Sequence, residues 1–426
     1  MPAHARIAFV IATLLLPSDA EPDLCSASPG RSGSCNVADS PTVQDLGIEL
    51  VSQALARRPV SWRETRIAPI LDSIGEGSYG EISRIMFEFD NGESLRVIAK
   101  RVSPKPDAEV GPGAINATEH ARFLRGFLVE AASYTHLSSL LLNASLTVPR
   151  LLHVTEARLG QQFTLLLEDI SERFPLGANG DVRRMVPREV SASLQWLAGF
   201  HALFWEDPRS GERELWERGS YWILDKLGRL ELASVPESFS NRYISRDEWR
   251  RLHAACVAID RRLSGRPASA SRGATAPHPA FWTLIHGDAK PENILCTLAR
   301  GGVECAGLDF GWVGEGYGMY DVMYLLWSEM AQNSVDRYLE EYRAALLQRL
   351  PTTVGKHYTS AVMHQHFELC VLDFIRWWAG FRGGVHFWAM PWAVDTLREV
   401  LDRLDGGELL MPEQYALAVD REYPLA

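Results

Sequence analysis

The chain lacks an excess of positive charge. Its 43 Lys and Arg stand against 54 Asp and Glu, a formal net charge of −11, which disfavours a general nucleic-acid surface because neutralising phosphates needs clustered cations. Cysteine is scarce: Cys25, Cys35, Cys256, Cys296, Cys305 and Cys370 are scattered over 426 residues with neither a CxxC pair nor a metal-like Cys/His spacing. Most of them read as reduced, packed thiols. Beyond the first twenty residues no apolar run approaches the length of a membrane span, and no internal repeat is evident. What remains is ordinary globular composition, 46% hydrophobic and 23% charged, in a chain long enough for two or three packed units.

The N-terminus has two readings. Arg6 precedes an apolar run from Ile7 to Leu16, and Ser18-Asp19-Ala20 resembles a small-residue cleavage site. In a secretory lumen Asn116-Ala117-Thr118 and Asn143-Ala144-Ser145 would be glycosylation acceptors. Otherwise residues 1–40 are a loose leader on a cytoplasmic protein, which is the expectation here. The Ser-, Gly-, Asp- and Pro-rich stretch from Glu21 to Ser40 cannot bury enough surface to offset its ordering entropy.

Periodicity divides the remainder. Leu46, Ile48, Leu50, Val51 and Leu55 suggest a short leading helix. Ile82, Ile85 and Phe87 before Asn91-Gly92, with Leu95, Val97 and Ile98 after it, predict a β-hairpin. Phe123, Phe127, Glu130, Tyr134 and Leu137 recur at helical steps, and Thr164 to Leu167 reads as a buried strand. Strong helical stretches then lie around Ser191 to Trp205, Asp247 to Leu263, Tyr320 to Ala331, Ser334 to Leu350 and His357 to Gly380. A Gly-, Ser- and Ala-rich surface loop is expected from Ser264 to Ala276. The expectation is a strand-rich lobe over residues 41–170 and a mostly helical lobe over residues 171–426, an α+β class.

Four segments carry chemistry. In Gly75-Glu76-Gly77-Ser78-Tyr79-Gly80 the residues Gly75, Gly77, Ser78 and Gly80 can bring backbone amides against phosphate oxygens, and the loop joins strands rather than opening a helix. Val97-Ile98-Ala99-Lys100 ends an apolar strand with an ammonium, and Glu130, on an apolar helical stripe, needs a cation for which Lys100 is the natural candidate. In His286-Gly287-Asp288-Ala289-Lys290-Pro291-Glu292-Asn293 a polar loop is flanked by apolar residues. Asp288 can orient a hydroxyl or take its proton, Lys290 can offset moving negative charge, Asn293 offers an oxygen to a divalent cation, and His286 braces the loop. Asp309, in Leu308-Asp309-Phe310-Gly311, adds a second hard oxygen donor.

In this order the segments resemble the protein-kinase-like superfamily over roughly Arg66 to Gly380. Gly287, where protein kinases usually carry arginine, makes His286-Gly287-Asp288 similar to aminoglycoside, choline and ecdysteroid kinase-like phosphotransferases; Lys290-Pro291-Glu292-Asn293 is closer to protein kinases. No long segment ending in Ala-Pro-Glu follows Asp309; Gly311 to Asp321 runs straight into an apolar helix, with Asp321 expected to brace the loop and cap that helix. The resemblance implies a bilobal fold, ATP and Mg²⁺ as cofactors, and a small-molecule hydroxyl acceptor. Residues Leu165 to Ile170 resemble the family's lobe connection, where backbone groups of Glu168 and Ile170 would meet adenine. A catalytically silent nucleotide-binding relative and a protein kinase are the alternatives; oligomeric state is open. Phe367, Glu368, Asp373, Trp377, Trp378 and Phe387 are candidates for an acceptor pocket suited to an amine, with plain helix packing as the rival explanation.

Overall fold

The hairpin expected around Asn91-Gly92 forms as β2 (Ser78–Glu88) and β3 (Ser94–Val102), with Glu88 opposite Ser94 and Gly92 at φ 79° in the turn. It belongs to a computed structural model that describes residues 59–71, 78–104, 117–177, 185–207, 209, 211–224, 242–268, 278–327, 332–380 and 389–425. The leader, the helix expected from Asp45 to Leu55, Gly75, Gly77, Asn116, Phe387 and most of the loop from Ser264 to Ala276 lie outside these residues.

A further strand, β1 (Ser61–Leu71), pairs with β2, while β5 (Phe163–Glu168) pairs with β3 and with β4 (Leu151–Val154). The result is a five-stranded antiparallel sheet of order β1-β2-β3-β5-β4. Alternation assigns its two faces. Val97, Ala99 and Leu166 pack with Ile85 and Phe87 in one apolar cluster, whereas Lys100, Leu165 and Leu167 face the other way. On that second side lies α1 (Ala117–Asn143), whose Phe127, Glu130, Tyr134 and Leu137 are all buried, as their spacing predicted.

After β5 helices predominate: α2 (Pro187–Leu203), α3 (Arg246–Leu263), α4 (Met319–Leu326), α5 (Gln332–Arg349), α6 (Ser360–Gly380), α7 (Pro391–Asp405) and α8 (Pro412–Glu422). Local sequence sets their ends. Ser245 accepts from the Glu248 N–H at 3.1 Å while Glu248 accepts from the Ser245 N–H at 2.6 Å, so α3 begins on a reciprocal cap, and its Trp249, Leu252, Ile259 and Leu263 turn inward. Pro391 opens α7. Together a sheet-bearing lobe and a helical lobe meet the bilobal α+β expectation. Among the described residues no helix is long and apolar enough to cross a membrane.

Two expectations need correction. Cys296 and Cys305 are not free thiols: β8 (Ile294–Ala299) and β9 (Gly302–Gly307) set them directly opposite each other, Cα atoms 4.1 Å apart, and they form a disulfide. Strand register, which nine-residue spacing does not reveal, brings them together. Cys256 and Cys370 are buried free thiols, and Cys25 and Cys35 lie outside the described residues. The path from Asp309 to α4 is also not a plain loop, since β10 (Gly314–Tyr317) pairs antiparallel with β7 (Trp282–Ile285) and parallel with β6 (Trp216–Arg218).

Candidate active site

Every residue of β7 is buried, so the strand delivers His286, Gly287 and Asp288 from a fixed base. Gly287 has φ 78°, and a Cβ there would stand 2.3 Å from the Trp312 carbonyl oxygen and 2.5 Å from the Ser220 nitrogen. Only glycine fits this turn. Asp321 then holds the loop: its carboxylate accepts from the His286 N–H at 2.6 Å and the Gly287 N–H at 2.8 Å. It lies inside α4 and braces the loop as expected, but it does not cap the helix, whose N-cap is Gly318.

Sequence reasoning missed the next layer. His201 Nε2 lies 3.0 Å from the Asp321 carboxylate and its Nδ1 lies 2.7 Å from the Tyr342 hydroxyl, with His201 and Asp321 fully buried. The available signal was one histidine on the apolar stripe of Leu194, Leu197 and Ala198, and such a residue is read as core by default. His286 bonds the Leu308 carbonyl through Nε2 at 2.9 Å and receives the Asp288 N–H at Nδ1, 3.3 Å away, which fixes the proton on Nε2. Burial lowers its pKa, so the ring is a neutral brace.

Asp288, Lys290 and Asn293 form one cluster. Lys290 Nζ and Asn293 Nδ2 each donate to Asp288 Oδ2 at 2.9 Å. Burial pushes the Asp288 carboxyl up to about 7, with Lys290 opposing and Asp309 adding to the shift. Burial alone would lower Lys290, but the groups around it, Asp288 foremost with Tyr324 and Asp309, together outweigh burial and hold the ammonium above its ordinary value.

Opposite this loop, Lys100 pairs with Glu130 and stands 3.7 Å from Asp309. All three are buried, so one cation faces two carboxylates. Burial pushes Glu130 up to about 7 while Lys100 pulls it down; Lys100 itself is raised, because Glu130 and Asp309 overcome its own burial. Asp309 has φ 65°, a strained value for a non-glycine residue, and its backbone N–H points to the Tyr134 hydroxyl at 3.4 Å. Asp288 Oδ1, Asn293 Oδ1 and Asp309 Oδ2 are buried and have no hydrogen-bond partner among the described residues.

A cleft open to solvent is lined by Lys100, Glu130, Asp309 and the connection Leu167 to Ser171. The Glu168 carboxylate is taken up by Arg150 at 3.2 Å and Arg173 at 3.7 Å. The Ile170 N–H meets no acceptor among the described residues. Gly80 pairs opposite Val102, and Ser78 is described by its backbone alone.

The proposed acceptor-pocket residues are occupied by packing. Phe367 stacks on Trp392, Trp377 is buried against Tyr221, Glu368 is paired with Arg403, and Asp373 is paired with Arg376 at 2.9 Å. Both carboxylates carry an arginine already, which removes the reason for an amine to bind them.

The sequence model of the phosphotransferase enzyme family, APH, matches residues 117–357, more than half of the chain. No curated protein matches it. Among solved structures, a microcompartment-associated aminopropanol kinase is similar at 16% identity over 86% of this chain and 99% of that one, with a TM-score of 0.43. Choline kinase LicA from Streptococcus pneumoniae gives 12%, 84%, 97% and 0.38 by the same measures, and the GDP and kanamycin complex of APH(2")-IIia gives 13%, 83%, 96% and 0.40. Likeness of that size carries no weight here; the matched span, which includes Glu130, Asp288, Lys290, Asn293 and Asp309, does. The chain belongs to the phosphotransferase enzyme family.

Proposed function

We propose that this phosphotransferase moves the γ-phosphoryl group of ATP, held with Mg²⁺, to a hydroxyl of a small molecule bound beside Asp288. The observation that carries it is the trio of buried, partnerless oxygens on Asp288, Asn293 and Asp309, set in a cluster that includes Lys100 and Lys290. Leaving such atoms unsatisfied costs about 1–3 kcal/mol each, and hard oxygen donors are the ligands Mg²⁺ takes. The donor set fits the ion.

Asn293 and Asp309 would hold Mg²⁺, which when bound neutralises charge on the β- and γ-phosphates. Lys100, fixed by Glu130, would meet the α- and β-phosphates, and the backbone from Gly75 through Gly77 and Ser78 to Gly80 would cover them. Backbone groups of Glu168 and Ile170 would receive adenine, consistent with the open Ile170 N–H. Asp288 orients the acceptor hydroxyl and takes its proton; its raised pKa makes it a competent base near neutral pH. Lys290 stays protonated beside it and offsets charge on the transferring group. We place the lobe boundary at residue 170, with residues 41–170 carrying the nucleotide and 171–426 carrying Asp288. The acceptor class spans amino alcohols, sterol-like alcohols and aminoglycoside-like sugars.

An ATP-consumption screen across those alcohols and a generic protein substrate tests the proposal, with Asp309→Ala as control. Loss of this oxygen donor should lower both Mg-ATP binding and turnover. Undiminished ATP consumption by the variant would refute the metal role.

A further inference from the structure

We propose that Asn143 is an N-glycosylation site and that the chain matures in an oxidising secretory lumen. Three observations independent of the phosphotransferase assignment converge on this. First, Asn143 is the last residue of α1, and Asn143, Ala144 and Ser145 are all exposed in the turn that follows. Neither the Asn143 amide nor the Ser145 hydroxyl has a hydrogen-bond partner among the described residues. By contrast, nearby Ser138 is buried and donates to the Pro149 carbonyl at 3.4 Å. None of the three turn residues lines the nucleotide cleft. The triplet therefore has the acceptor pattern, free polar groups and the space that a sugar needs.

Second, the Cys296–Cys305 disulfide is buried, with relative exposures of 0% and 7%, in the hairpin between Asn293 and Asp309. Such bonds form and persist in oxidising compartments and are rare where glutathione keeps thiols reduced. Here the two thiols give up two electrons and two protons to a disulfide oxidant of the lumen. Third, the apolar run from Ile7 to Leu16 with Arg6 before it has the composition of a secretory signal. Together they favour the secretory reading of the N-terminus over the cytoplasmic one.

In the modification itself, the Asn143 amide nitrogen bonds to the anomeric carbon of a lipid-linked oligosaccharide. The carbon–oxygen bond to the lipid pyrophosphate breaks, that pyrophosphate leaves with the electron pair, and the amide proton passes to a base of the transferase. Only the side chains of Asn143 and Ser145 are required of this chain.

The test expresses the full chain in cultured eukaryotic cells and digests the recovered protein with peptide N-glycosidase in ¹⁸O water, so that a glycosylated asparagine becomes ¹⁸O-labelled aspartate. Expected are label at Asn143 and no alkylation of Cys296 or Cys305 before reduction. The label should be lost completely in Asn143→Gln and in Ser145→Ala, both with wild-type thermal stability because these exposed side chains make no hydrogen bond among the described residues, and kept in Ser145→Thr, which is less stable because a β-branched residue is strained at the φ of 61° found there. Unlabelled Asn143 in the wild-type protein, label confined to Asn116, or freely alkylated Cys296 and Cys305 would each overturn the proposal.

Discussion

Burial governs the behaviour of Asp288. With its carboxyl pushed up to about 7, the group in its proposed role would act as a base only above that pH, since the protonated carboxyl is far too weakly basic to take the acceptor's proton. The expected pH profile of kcat/KM therefore falls roughly tenfold per unit as pH drops below about 7 and is flat above it; a profile flat down to pH 5 would remove Asp288 as the base. Asp288→Asn keeps the shape but not the proton acceptor. Turnover should fall by on the order of 10²-fold or more while ATP affinity, measured by titration calorimetry, stays within about twofold. These residues were legible because they are contiguous: a histidine, two carboxylates, a lysine and an amide within one short loop leave few other readings. His201 and Tyr342 were not legible, because their relation to Asp321 exists only after α2, α4 and α5 have packed.

At the scale of elements, the turn between β7 and the 3₁₀ segment Pro291–Asn293 is where backbone geometry and chemistry are tied. Gly92 and Gly287 share a positive φ, 79° and 78°, yet a Cβ at Gly92 meets nothing within 4 Å whereas one at Gly287 meets backbone. Gly92→Ala should cost about 1–2 kcal/mol from the left-handed conformation alone, and Gly287→Ala clearly more, as read by urea unfolding. Equal losses would mean that the Trp312 backbone yields freely. The long periodic elements could be read from sequence: Ile82, Ile85 and Phe87 of β2, Val97 of β3 and Phe127, Glu130, Tyr134 and Leu137 of α1 are buried, with Leu95, Ile98 and Phe123 partly so. Elements too short for a period could not. β6 has three residues and β10 four, and both exist because β10 pairs with β6 on one side and with β7 on the other in one small sheet. The disulfide was hidden for the same reason, since it depends on which residue of β9 stands opposite Cys296. α7 went unread although Pro391 and Gly406 mark its two ends.

For the whole molecule, the cleft links the sheet-bearing lobe through Lys100 to the helical lobe through Asp309. A ligand that binds this folded arrangement alone must stabilise it by mass action. Mg-ATP at about 100 times its Kd should add roughly 2.7 kcal/mol to unfolding stability, and chelating the metal with EDTA should remove most of that gain. An equal gain with and without metal would show that Asn293 and Asp309 do not hold it. The two-lobed α+β plan was legible in the change from strand to helix periodicity near residue 170, whereas the acceptor was not, because the aromatic and acidic residues of α6 that suggested a pocket are committed to packing and to Arg376 and Arg403. Small-molecule phosphoryl transfer itself is tested most directly by incubating the protein with Mg²⁺, γ-¹⁸O-labelled ATP and a metabolite extract, then searching by mass spectrometry for the labelled phosphate. The account predicts labelled phosphate ester on a small hydroxyl compound with wild-type protein and none with Asp288→Asn. Label found on proteins alone, or no labelled ester with wild-type protein, would contradict it.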